Sequence, residues 1–161
     1  MAETLHISGE TKQEMYTTLN SQIDALTSGE TNLIANLANV ASALKMTFNP
    51  LWVGFYLLEN DSLVLGPFQG PIACTRIKKG RGVCGTAWEQ NQTILVQNVN
   101  EFAGHIACSS ESVSEIVVPL HNSNNEFIGV LDIDSVNEGE FDETDQKHLE
   151  DLLKIISKTI H

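Results

Sequence analysis

Apolar residues recur at helical spacing near both ends of the chain and in short, nearly continuous runs between them. Met15, Leu19, Ile23 and Leu26 share one helical face, with Ser8 as the expected cap and Ser28-Gly29 as the end. Leu33, Ile34, Leu37, Val40, Ala41 and Leu44 mark a second helix, capped by Thr31. Asn49-Pro50 stops it, since proline disfavours helix in the residue before it. Residues 51–58 read as a central strand and 62–68 as its hairpin partner across the turn Asn60-Asp61. Residues 69–81 read as irregular, broken by Gly80, Gly82 and Gly85 before a short helix around 87–90. A short strand at 93–96 and a loop over 100–112 follow. Residues 114–120 and 127–133 then form a second hairpin across Asn122-Ser123-Asn124-Asn125. Asp142, with Asp145 in the first turn, caps a last helix whose stripe is Leu149, Leu152, Leu153, Ile156 and Ile160.

Helices at both ends around strands joined as hairpins predict an α+β fold with a central, mainly antiparallel sheet of about five or six strands. The N- and C-terminal helices pack on one face, and the cysteine-bearing loops gather on the other. At 161 residues the chain has the size of one domain, taken to span 1–161.

Charge narrows the function. The formal net charge is −12 and no basic run is present. Nucleic acid and an anionic membrane surface both need clustered positive charge, so neither is expected as partner. Residues 1–10 are polar and do not read as a signal peptide, and no apolar run is long enough to span a bilayer. A cytoplasmic protein is expected. Three cysteines, Cys74, Cys84 and Cys108, an odd number without an export signal, do not read as a disulfide framework.

A structural cysteine usually lies within an apolar strand or helix stripe, and none of these three reads so. Cys108 sits in Gly104-His105-Ile106-Ala107-Cys108-Ser109, where a histidine or loop amides would favour its thiolate. An inert, partly buried loop residue is the plainer alternative. Cys74 and Cys84 flank a stretch with Arg76, Lys78, Lys79 and Arg81, cations that would favour thiolates by Coulomb attraction unless they are simply solvated. A zinc site from the cysteines and His105 lacks the tight Cys-x-x-Cys spacing. Asp132 and Asp134, two apart in one strand, point to the same face, opposite Leu131 and Ile133. With Glu115 they form either a solvated strand end or an acidic cluster that holds an ammonium group or donates a proton. Trp52 and Tyr56 are either core aromatics or a ligand wall.

The runs Cys74-Thr75-Arg76-Ile77, Gly80-Arg81-Gly82-Val83-Cys84-Gly85-Thr86-Ala87, Gly104-His105-Ile106-Ala107-Cys108 and Ser114-Glu115-Ile116-Val117-Val118-Pro119-Leu120 resemble the free methionine-(R)-sulfoxide reductases. So do Leu65-Gly66-Pro67-Phe68-Gln69-Gly70 and Gly129-Val130-Leu131-Asp132-Ile133-Asp134-Ser135. The resemblance implies a single GAF-like domain that reduces the free amino acid sulfoxide rather than the polypeptide form. By that resemblance Cys108 is the nucleophile, Cys74 the resolving cysteine that forms a disulfide with it, and Cys84 the third cysteine of the pattern. Glu115, Asp132 and Asp134 contact the substrate and its sulfoxide oxygen. Trp52 and Tyr56 wall its side chain, and Ile106 and Ala107 reach it from the loop. No metal and no prosthetic cofactor is implied. Thioredoxin is the implied reductant and a homodimer the implied assembly. Ser109, Asn98 and Ala103 depart from the usual Asp, Asp and Pro of that pattern. Two readings compete with the enzyme: a GAF module that binds a small effector, and a thiol redox sensor without turnover.

Overall fold

The computed structural model describes residues 4–106 and 109–161, so Ala107 and Cys108 lie outside the described residues. Two helices open the chain, α1 (Lys12–Thr27) and α2 (Leu33–Phe48). A hairpin follows, β1 (Trp52–Glu59) and β2 (Ser62–Gln69), then β3 (Arg76–Lys78), α3 (Gly82–Gln90) and β4 (Ile94–Val96). After a 3₁₀ turn at Val99–Glu101, the second hairpin, β5 (Ser114–His121) and β6 (Phe127–Ser135), leads into α4 (Glu143–Ser157). The strands form one sheet in the order β3-β2-β1-β6-β5-β4, with every neighbouring pair antiparallel. This is the α+β sheet expected from the pattern, with six strands among the described residues. No described helix is long and apolar enough to cross a membrane.

Alternation divides the sheet between two layers. Val53 and Phe55 of β1, Ile116 and Val118 of β5, and Leu131 and Ile133 of β6 pack against Leu19, Ile23, Leu37, Leu44, Leu149 and Leu152 of the three long helices. On the other face Trp52, Tyr56, Val117 and Val130 pack with Val83, Cys84 and Ala87 of α3.

Four local expectations are corrected. Thr11, not Ser8, caps α1, because only Thr11 closes a capping box with Glu14: its side chain accepts from the Glu14 amide while Glu14 accepts from the Thr11 amide. Asn32, not Thr31, caps α2, its side chain accepting from the Ala35 amide at 2.9 Å. The segment read as irregular contains β3, a three-residue edge strand with charged residues outward and Ile77 inward, too short to show a period. Helix α3 starts at Gly82 rather than near Ala87. Glycine is a poor helix former, but a Cβ at Gly85 would lie 2.4 Å from the Lys78 carbonyl oxygen, so close packing of α3 on β3 requires it.

Candidate active site

Strand register assembles the site. In the β5–β6 pair Glu115 lies opposite Asp134 and Val117 opposite Asp132. In the β1–β6 pair Trp52 lies opposite Asp134 and Gly54 opposite Asp132. Glu115, Asp132, Asp134, Trp52 and Tyr56 therefore share the face that looks toward α3, and all five line one cleft. Cys84 enters the cleft from α3, Ile72 and Ala73 from the segment before β3, and His105, Ile106, Ser109 and Ser112 from the long loop.

Trp52 and Tyr56 form its wall. Their rings stack with centroids 5.8 Å apart, and Trp52 stacks on Phe68 at 5.4 Å. Gly54 makes this possible, because a Cβ there would lie 2.6 Å from Trp52 Cη2 and 2.3 Å from Phe68 Cβ. The sequence reading did not single out Gly54. Its one outward signal is a glycine inside an apolar strand, which marks a close approach. The aromatic pair also fixes the segment above it. Trp52 Nε1 donates to the Pro71 carbonyl at 3.1 Å, and the Tyr56 hydroxyl donates to the Cys74 carbonyl at 3.0 Å.

Glu115 and Asp132 are buried and Asp134 half-buried, with little to neutralise them. Burial, then Asp132 and Asp134, raises Glu115 well above the ordinary carboxylate range. Burial and Asp134 raise Asp132 likewise, against hydrogen bonds with Cys84 and Glu115. Asp134 is pushed up to about 6 by burial, opposed by the Ser112 hydroxyl, which donates to its Oδ1 at 2.5 Å. Ser112 is a second residue that sequence reasoning missed, since a lone serine before a strand carries no signal. Asp132 Oδ1 is buried without a hydrogen-bond partner. His105 Nε2 stands 3.9 Å from Glu115 Oε2, but burial lowers the histidine's pKa, so the pair is not an ion pair at neutral pH.

The cysteines separate. Cys84 is the free cysteine among the described residues and Cys74 is disulfide-bonded. Contrary to the sequence expectation, Cys84 does lie on an apolar helix face, and it is not a thiolate favoured by cations. Burial pushes its thiol up, and Asp132 and Glu115 push it further. Of the cations expected to act on the thiols, Arg81 lines the cleft, whereas Lys78 pairs with Asp61 at 2.9 Å and Lys79 lies over the Trp88 ring. Of the cysteine and histidine zinc set, Cys84 and His105 line the cleft, and Cys108 lies outside the described residues. One donor atom each of Cys84, Glu115 and Asp132 lies within 4.8 Å of the other two. Cys108 and Ala107, assigned as nucleophile and substrate contact, fall outside the described residues.

An antiparallel sheet with helices on one face and a thiol- and carboxylate-lined cleft on the other defines a GAF-type domain, and the sequence matches the GAF domain family over residues 25–161. GAF domain-containing protein A of Dictyostelium discoideum is 59% identical over 157 residues, 97% of this chain and 99% of that protein. Free methionine-R-sulfoxide reductase of Escherichia coli (strain K12) is 50% identical over 150 residues, 92% of this chain and 90% of that protein. The X-ray structure of free methionine-R-sulfoxide reductase from Neisseria meningitidis in complex with its substrate superposes with a TM-score of 0.94 at 51% identity, covering 97% of this chain and 94% of that one. This chain belongs to the free methionine-R-sulfoxide reductase family of GAF domain proteins, and it is an enzyme.

Proposed function

We propose that the protein reduces free methionine-(R)-sulfoxide to methionine with Cys108 as nucleophile. The observation that carries this reading is the buried pair Glu115 and Asp132, with the half-buried Asp134 beside them, facing the Trp52–Tyr56 wall. Such a cleft fits a small zwitterion with an apolar arm, and a relative at 51% identity was solved with its substrate. His105, Ile106 and Ser109, which flank residues 107–108 in the chain, line the same cleft.

The carboxylates divide the work by environment. Glu115 and Asp132, held well above the ordinary range, keep a proton between them for the sulfoxide oxygen. Asp134 is mostly ionised at neutral pH and takes the substrate ammonium. The Cys108 thiolate attacks the sulfoxide sulfur, and the S–O bond breaks. The oxygen passes to Cys108 as a sulfenic acid and methionine leaves, so the sulfoxide sulfur gains the two electrons that the cysteine loses. The Cys74 thiol then condenses with the sulfenic acid, expelling water and forming a disulfide. The disulfide-bonded state of Cys74 and the free state of Cys84 support this pairing. The thioredoxin dithiol reduces the disulfide and restores the enzyme. No prosthetic group is needed. A homodimer in the cytoplasm is the proposed form.

A peptide-linked methionine sulfoxide has no free ammonium to offer Asp134 and leaves a buried charge unpaired, which disfavours it strongly. The test is thioredoxin-coupled NADPH oxidation with the free R epimer, the S epimer and an N-blocked analogue. Turnover on the free R epimer alone, lost in Cys108→Ser, is the expected result. A folded, reduced protein inactive on all three would favour the effector-binding module.

A further inference from the structure

We propose that Cys84, Glu115 and Asp132 form a binding site for a thiophilic divalent cation of the zinc class, and that its occupation closes the cleft to the sulfoxide. One donor atom from each residue lies within 4.8 Å of the others, and all three side chains are buried. Zinc bonds of about 2.0–2.3 Å place tetrahedral ligands roughly 3.3–3.7 Å apart. Small side-chain rotations would therefore close the set around an ion. A second observation points to a ligand: Asp132 is 7% exposed, and once Glu115 and Cys84 are deprotonated its Oδ1 has no hydrogen-bond donor. A buried acceptor left open costs about 1–3 kcal/mol, and a cation is one group that satisfies it.

The chemistry of the set selects the ion. Sulfur beside two carboxylate oxygens prefers zinc, cobalt or cadmium to magnesium or calcium. No lysine or arginine pairs with the trio among the described ion pairs, so the cation would supply the positive charge that the cluster lacks. Binding replaces the Cys84 thiol proton and any carboxyl proton, which leave to solvent. The donors come from three regular elements, β5, β6 and α3, rather than from the cysteine loops. The blocking effect, and only that, rests on the proposed reductase reading, since the ion would occupy the place given to the sulfoxide oxygen.

The test uses the full-length Cys74→Ser/Cys108→Ser double variant, in which Cys84 is the sole thiol. Titration with Co²⁺ should give a thiolate-to-cobalt charge-transfer band saturating at one equivalent, bleached by Zn²⁺ and untouched by Mg²⁺. Adding Cys84→Ser should abolish the band. Adding Asp132→Asn should weaken binding by roughly tenfold to hundredfold or more, with a thermal melt to show that the variant folds. Cobalt bound without the band, or a band indifferent to Asp132→Asn in a folded protein, overturns the metal site. In a separate arm, Zn²⁺ should inhibit the wild-type reductase competitively with the free sulfoxide. A band in the first arm with no competition in the second overturns the closing of the cleft and keeps the site. The absorption titration needs no turnover, so failure of the reductase reading and failure of the metal site remain distinguishable.

Discussion

Asp134 shows what burial does to a carboxyl group when no cation answers it. Its pKa stands at about 6 in the folded protein and near the ordinary aspartate value when unfolded. Between those two values the folded state holds a proton that the unfolded state has lost. Stability must therefore fall as pH rises through the window from about 4 to 6. Asp134→Asn should flatten that slope and raise stability at pH 7 by about 1–3 kcal/mol. Urea midpoints of both proteins across the window check it, and parallel slopes would refute it. At Gly54 the constraint is steric. Gly54→Ala would push Trp52 off its stack with Tyr56 and should raise KM for the free sulfoxide roughly tenfold at a stability cost of ~1–3 kcal/mol. Steady-state kinetics beside a thermal melt would show it. The carboxylates were legible in the sequence because strand alternation fixed their common face, whereas Gly54 and Ser112 act through neighbours that only the fold supplies. Cys84 was misread for a physical reason: glycines on both sides concealed the helix that buries it.

Among the elements, α4 depends on its first turn more than its apolar stripe suggests. Asp145 accepts from the Asp142 amide at 2.9 Å, completing a capping box, and its Oδ1 accepts from the buried Tyr16 hydroxyl at 2.8 Å. Lys12 of α1 reaches its Oδ2 at 2.6 Å. One side chain thus closes a helix terminus and ties α4 to α1. Asp145→Ala should cost about 2–4 kcal/mol, from the lost cap and a buried hydroxyl left unpaired. Denaturant unfolding measures it, and a loss below about 1 kcal/mol would sink the account. The long elements were readable because their periods extend over several turns or pleats. Helix caps shifted by one to three residues because several polar residues compete at each terminus, and backbone geometry decides between them. β3 was invisible because its pairing with β2, not its own three residues, makes it a strand.

For the molecule as a whole, the wall of the cleft and the segment bearing Cys74 are one assembly. The Tyr56 side chain belongs to the wall of the cleft, and its hydroxyl also holds the Cys74 carbonyl. Tyr56→Phe should leave the first, single-turnover release of methionine near its normal amplitude and change the rate of disulfide formation and recycling severalfold. Rapid-quench product analysis against thioredoxin-coupled turnover separates the two, and equal changes in both would contradict this division. Sheet topology has a separate consequence, for biosynthesis. β1 and β6 lie side by side at the centre of the sheet but far apart along the chain. As a ribosome releases the chain, the aromatic wall emerges with its β6 edge unpaired, and the hairpin that carries all three carboxylates follows only after β4. Closing the distance between β1 and β6 is the slow, non-local step. A nascent chain stalled before residue 127 should therefore possess the β1–β2 hairpin and no carboxylate-lined cleft. The cleft waits for β6, finished in the same event that seals the sheet.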